Sequence, residues 1–385
     1  MKEKAMNEHQ LMTEGDDKIV LFYPEIPIEA INEVTDTLRG RWIGQGPKVD
    51  IFEEQFTNTF NPGGHSISVG AGTHALHLSY LLANFKPGDE VIVPLFTCTA
   101  TNIPFLYMGV KVVFADIDVK TMNVSIDSVK SKINSKTKGI VVVHYGGLPC
   151  DMGALLDIAK KHNLLIIEDA AHALGAKYYG RTIGSISDFT MFSFQAIKHI
   201  TTGDGGMVTF KNSEETYERA KRLRWFGIDR CAKQMGVWEN DIEDIGYKYQ
   251  MNDISAGMGI AGLKSFDSVL SKRKLLLNRY FENLSDYSRI TLVGDITNKD
   301  IEHAAWLITI YVDVNRIGLM NKLRENNIES AQVHYRNDRY SIFGGRQKIF
   351  NNMDQVEDRY LVLPLHPKMN ISDVDRVCDV IKSGW

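Results

Sequence analysis

The sequence predicts an α/β protein: a large doubly wound domain on a mostly parallel sheet, followed by a small C-terminal α+β domain. Three observations carry this. Short β-rich runs alternate with helical patterns through the first half, those runs are largely apolar, and from about residue 213 the pattern turns helical before a second mixture of strands and helices. Alternating strand and helix units whose strands avoid water on both faces give a parallel sheet covered by helices on each side. A chain of 385 residues, 44% hydrophobic and 24% charged, can bury a core of that size.

Taken in order, residues 1–18, "MKEKAMNEHQLMTEGDDK", form a polar arm without the apolar segment of a secretory leader. The large domain is placed at 19–264. In it "HSISVG" leads into "THALHLSYLLA", "DEVIVP" into "TATNIPFLYMG", "VKVVFADID" into "SIDSVKSKIN" and "KGIVVVHYGG" into "DMGALLDIAKKH", after which "LLIIED" is the next strand. The helical stretches "ETYERAKRLRWF", "ISAGMGIAGLKSF" and "SVLSKRKLLLNRYFENL" follow. A polar turn near 291–300, the strand "WLITIYVDV" and the helix "RIGLMNKLRENN" belong to the small domain, placed at 265–385.

Composition removes several functions. A net charge of −4 gives no bulk attraction to nucleic acid, and no run reaches the roughly 18 apolar residues of a membrane span. Cys98, Cys150, Cys231 and Cys378 are far apart with no CxxC, which argues against a local zinc or iron–sulfur set. The expected location is the cytoplasm, and no metal is expected.

Three stretches carry chemistry. "SVGAGTHALHL" is a strand, a glycine turn and a helix opening at Thr73, where free amides suit a phosphate group or simply form a capped connection. His74 and His77 share a helix face, and their spacing favours that over metal ligation. "LLIIEDAAHALGA" ends a strand in Glu168 and Asp169, and open α/β sheets bind ligands at the carboxyl ends of strands. Side chains alternate, so Glu168 points away from Asp169 and is expected to be paired or solvated. "SDFTMFSFQAIKHITTGDGG" sets Lys198 among apolar residues beyond a strand, where a partly dry site would lower its amine pKa and make it nucleophilic.

The stretches "GTHAL", "VPLFTCTAT", "IIEDAAHALGA", "FSFQAIK", "TTGDGG" and "YKYQMNDISAGMG" occur in this order. Together they resemble the DegT/DnrJ/EryC1/StrS family of sugar aminotransferases, from "RWIGQGPKV" near residue 41 to "LPLHPKMN" near 370. The resemblance implies a fold-type-I transferase using pyridoxal 5'-phosphate, a homodimer with sites at the subunit interface, and amino transfer from glutamate to a keto-sugar, expected to be nucleotide-linked. It makes Lys198 the Schiff-base lysine and Asp169 the partner of the pyridine nitrogen, and sets His172 against the ring or its 3-oxygen. Gly72, Thr73 and Ser193 hold the phosphate, Lys248 reaches it from the neighbouring subunit, and His334 and Tyr335 lie by the sugar. "RWIGQGP" resembles the substrate loop.

Two departures stand out. Cys98 takes the place of an aromatic over the ring and is expected to be a small buried hydrophobe, with Phe96 a candidate replacement. Lys248 and Gln250 replace an asparagine and an arginine. A dehydratase of the same family would carry histidine in place of Lys198, and His199 is one position off. A non-catalytic regulatory protein that binds the cofactor would lack Lys198 or Asp169, or carry an added domain. The chain has both residues, so transamination is the preferred reading.

Overall fold

The computed structural model describes residues 17–230, 232, 235–237 and 241–385, so most of the polar arm, together with Cys231, lies outside the described residues. Among the described residues of the first 210, ten strands form: β1 (His65–Val69), β2 (Glu90–Pro94), β3 (Phe96–Thr97), β4 (Lys111–Ala115), β5 (Thr137–Val143), β6 (Leu165–Asp169), β7 (Lys177–Tyr178), β8 (Arg181–Thr182), β9 (Phe189–Ser193) and β10 (Gly206–Phe210). Seven make one sheet, ordered β1-β10-β9-β6-β5-β2-β4. The pairs from β9 to β4 are parallel, and β10 runs antiparallel to both neighbours. The carboxyl ends of β1, β2, β5, β6 and β9 therefore meet at one edge.

Alternation along the strands makes two cores. Val91, Val141 and Ile167 pack on one face of the sheet with Leu76, Tyr80 and Phe105. Their neighbours Ile92, Ile140 and Ile166 pack on the other with Phe52, Phe56 and Leu155. Each fully buried side chain of this kind contributes about 1.5–3 kcal/mol.

Five more strands follow: β11 (Ile290–Leu292), β12 (Ile301–Glu302), β13 (Ile308–Val312), β14 (Tyr335–Arg336) and β15 (Tyr360–Leu363). β11, β13 and β15 form an antiparallel sheet. Its core includes Ile310, Leu361, Leu323 and Val377, the last two from the helices Arg316–Glu325 and Ile371–Lys382. β12 and β14 instead pair with β7 and β3 of the first half.

The two helical stretches expected on either side of residue 265 are one helix, Asp253–Leu284, capped by the Asn252 side chain. Its Ala256, Ile260 and Phe266 pack in the second core, while Leu276, Leu277 and Tyr280 pack in the C-terminal one, so the boundary expected at 264/265 falls mid-helix. Its glycines mark close approach and not a break. A Cβ on Gly259 would sit 2.6 Å from the Phe52 ring, and one on Gly262 2.6 Å from Ile200. At the helix start, Asp253 accepts the Gly46, Lys48 and Val49 N–H groups and so fixes the "GQGPKV" turn.

Candidate active site

Strand ends build the site. Asp169 closes β6, and its buried carboxylate accepts the Thr101 hydroxyl at 2.8 Å and the Ala171 N–H at 3.1 Å. Burial pushes its pKa up, against the pull of Thr101, Ala171 and Lys198. Glu168 points to the opposite face and is fully buried, and of the two expectations the paired one is found. It accepts from His144 Nε2, the Ser187 hydroxyl and N–H, and the Thr190 hydroxyl. Burial alone would raise its pKa, but these donors more than offset it and hold the carboxyl below its usual range. His144 Nδ1 accepts the Cys150 N–H at 3.0 Å, so the ring's one proton sits on Nε2, facing Glu168.

Lys198 follows β9 on a turn closed by its own N–H to the Gln195 carbonyl. Its amine lies 3.7 Å from the centroid of the Trp306 ring. Burial pushes that amine down to about 8, with Asp169 and Cys98 opposing the shift and Arg273 adding to it. The other side of the wall is aromatic: His172 stacks on Trp306 with centroids 3.6 Å apart, and His334 shares a 3.3 Å hydrogen bond with His172 Nε2. Burial, then the nearby Lys198, keeps both imidazoles far below their usual pKa and therefore neutral.

Across from this wall begins the helix Gly72–Leu82, one residue earlier than expected. No side chain caps it, so its first N–H groups are free to meet a ligand. A Cβ on Gly72 would come 2.9 Å from Ser193 Oγ, so only glycine leaves the space between them open. Gly72, Thr73, Asp169, His172, Ser193, Lys198 and His334 all line one cavity of about 340 Å³.

Two expected residues are not in that wall. β14 pairs Tyr335 with Thr97, and where His334 enters the cavity Tyr335 is exposed outside it, with Arg339 over its ring. Lys248 rests 3.9 Å from the Trp225 ring centroid, beside a separate groove of about 530 Å³ lined also by Trp42 and Gln45 of the "RWIGQGP" turn. Cys98 corrects another expectation: it is exposed and lines the cavity, because it stands just ahead of the helix Thr99–Tyr107, at the cavity mouth. Phe96 is no replacement for the aromatic, being buried against Tyr145 and Tyr360. His74 and His77 meet Tyr249, and no cluster suited to a metal occurs among the described residues. Trp306 and Thr101 are the functional candidates that sequence reasoning missed. Thr101 sat inside a quoted motif, whereas Trp306 had no signal beyond standing ahead of a strand.

A doubly wound sheet with a lysine, a strand-end aspartate and an open helix N-terminus around one cavity defines a pyridoxal-phosphate-dependent transferase of fold type I. The family model of the DegT/DnrJ/EryC1/StrS aminotransferases matches residues 24–382, and the chain belongs to that family. It is 34% identical to the spore coat polysaccharide biosynthesis protein SpsC of Bacillus subtilis, over 93% of this chain and 95% of that one. It is 32% identical to the GDP-perosamine synthase of Escherichia coli O157:H7, over 95% and 98%. Among solved structures, the sugar aminotransferase CalS13 of Micromonospora echinospora superposes with a TM-score of 0.89 at 29% identity, covering 95% of this chain and 99% of its own. The protein is thus a sugar aminotransferase that depends on pyridoxal phosphate.

The residues present fit that cofactor. The uncapped helix start and the Gly72 gap suit a phosphate, and each Asp169 oxygen accepts only one bond, which leaves capacity for a pyridinium N–H.

Proposed function

We propose that the protein aminates a nucleotide-linked keto-sugar, with glutamate as the donor, in the cytoplasm. The observation that carries this is the meeting of Lys198, Asp169 and the open Gly72 helix start in one cavity. Bound there, pyridoxal phosphate supplies the electron sink for a carbanion at the reacting carbon. Lys198 holds the cofactor and moves the proton at that carbon, and an amine pushed down to about 8 suits both tasks. Asp169 keeps the pyridine nitrogen protonated, because a carboxylate favours the cation beside it. Gly72, Thr73 and Ser193 hold the phosphate, His172 faces the ring, and His334 meets the sugar at its reacting end. Tyr335, exposed beyond the cavity, meets the nucleotide end.

The working form is a homodimer in which Lys248 of each subunit reaches the phosphate held by the other. This is supported by the place of Lys248 outside the lining of its own cavity, against Trp225 and the exposed Phe226. The deciding experiment mixes the pyridoxamine form with a panel of nucleotide-linked keto-sugars and follows the return of visible absorption. The reading predicts return with one or a few of them and none with free sugars. Return with free sugars alone would remove the nucleotide from it.

A further inference from the structure

Arg273, on the helix Asp253–Leu284, is a fully buried cation, and among the described residues no carboxylate lies within ion-pair distance of it. Its Nη1 meets three carbonyl oxygens instead: Leu365 at 3.0 Å, Trp306 at 3.4 Å and Ala305 at 3.5 Å. Glu25 supports its charge only from beyond ion-pair distance, so burial outweighs it, and a buried charge held this way is costly and persists where it fixes something. What it grips is a bend. Ala305 has φ +53°, a left-handed conformation that a non-glycine residue keeps only when its surroundings over-determine it.

They do so here from several sides. The Trp306 and Leu307 N–H groups donate to the Gly146 carbonyl, Ala304 N–H donates to that of Gly147, and His199 Nε2 meets the Ala304 carbonyl at 2.6 Å. Past the bend, Trp306 lies between Lys198 and His172, and its indole N–H donates to the Ile197 carbonyl, next to the lysine. Trp306, Ile197, Lys198 and His172 line the cavity, whereas Arg273, the Ala305 bend and the Gly146, Gly147 and His199 groups that hold it do not.

We propose that Arg273 is a positioning residue for the reacting lysine: by gathering the Ala305, Trp306 and Leu365 carbonyls it holds the Trp306 indole as the surface on which the Lys198 amine rests and His172 stacks. Arg273 touches neither cofactor nor substrate in this arrangement. Its effect passes through the indole, which fixes where the amine stands at the cavity wall. The proposal rests on Lys198 being the reacting amine.

The test reads the amine itself in cofactor-free protein. Reductive methylation with ¹³C-formaldehyde labels Lys198, identified as the signal lost in Lys198→Ala, and an amine this close to an indole face is shifted strongly upfield by its ring current. Trp306→Leu must abolish that shift. Arg273→Met, similar in size but uncharged, must weaken it, and Arg273→Lys must restore it in part. In the loaded enzyme, Arg273→Met and Trp306→Leu should each lower kcat about tenfold or more with KM little changed, and the double variant should be no worse than the poorer single, the non-additivity of residues acting as a unit.

A folded Arg273→Met with an unmoved signal, or single losses that multiply in the double variant, would overturn the proposal. If Arg273→Met does not fold, Arg273→Lys with an unmoved signal and full kcat overturns it equally, as does a fully active Trp306→Leu. Turnover that survived Lys198→Ala would instead refute the reading of Lys198, which the methyl signal does not depend on.

Discussion

Lys198 and Asp169 show how the same burial acts in opposite directions on two charges. Burial favours the neutral amine, so capture of pyridoxal phosphate by the cofactor-free enzyme should speed up as pH rises through about 8, the region to which Lys198 is pushed. A capture rate flat from pH 6.5 to 9 would contradict that. Lys198→Ala should remove both the yellow colour and turnover. For Asp169 the sign is reversed: a carboxyl whose folded pKa is raised costs stability wherever it is ionised, and that cost is absent below its unfolded pKa. Cofactor-free Asp169→Asn should therefore melt no lower than the parent at pH 7. Yet its turnover should fall, because loss of the charge partner costs about 3–5 kcal/mol, a hundred- to several-thousand-fold in rate. A large drop in melting temperature with normal turnover would sink this account. Both residues were legible in the sequence because each sits in a local motif at a strand end.

At the scale of elements, two glycines carry separate predictions. Gly72→Ala would push a Cβ to 2.9 Å from Ser193 Oγ at the uncapped start of its helix. It should weaken binding of pyridoxal phosphate and of inorganic phosphate alike, measured by titration calorimetry, with little loss of thermal stability. Gly259→Ala acts on packing alone. Alanine improves helix propensity by about 1 kcal/mol, but its methyl would meet the enclosed Phe52 ring, and overpacking costs about 1–3 kcal/mol. The expected net result is destabilisation in urea titration with unchanged kcat, and a stabilised variant would show that the Phe52 ring yields. The sequence pattern divides this stretch near residue 265, where one helix passes from the second core to the C-terminal one, and only packing shows that it runs on unbroken.

For the whole molecule, the prediction concerns shared sites. Lys198→Ala and Lys248→Ala proteins should each be nearly inactive, yet mixing them under conditions of subunit exchange should restore activity, because a mixed dimer has one doubly damaged and one intact site. No recovery, with exchange demonstrated independently, would place Lys248 in its own subunit's chemistry or in none. The groove beside Lys248 also bears on charge. Arg224 pairs with Glu53, Arg222 with Asp244 and Lys221 with Glu218, so these three cations of the groove are each matched by a carboxylate.

The sequence by itself determined what repeats or what is local: the strand and helix alternation of the large sheet, the strand-end aspartate, the lysine beyond the next apolar strand and the glycine turn ahead of a helix. These follow from hydrophobic period and from short motifs, which neighbours along the chain specify. The tertiary structure alone decided what depends on distant residues meeting. It brought Trp306 from the C-terminal third against Lys198 and His172, turned Tyr335 outward while its neighbour His334 faces the cavity, left Cys98 exposed at the cavity mouth, and drew Arg273 under the bend at Ala305. No pattern in sequence encodes such contacts, because each arises from packing between elements more than 30 residues apart, and burial there, not residue type, sets which group becomes part of the site.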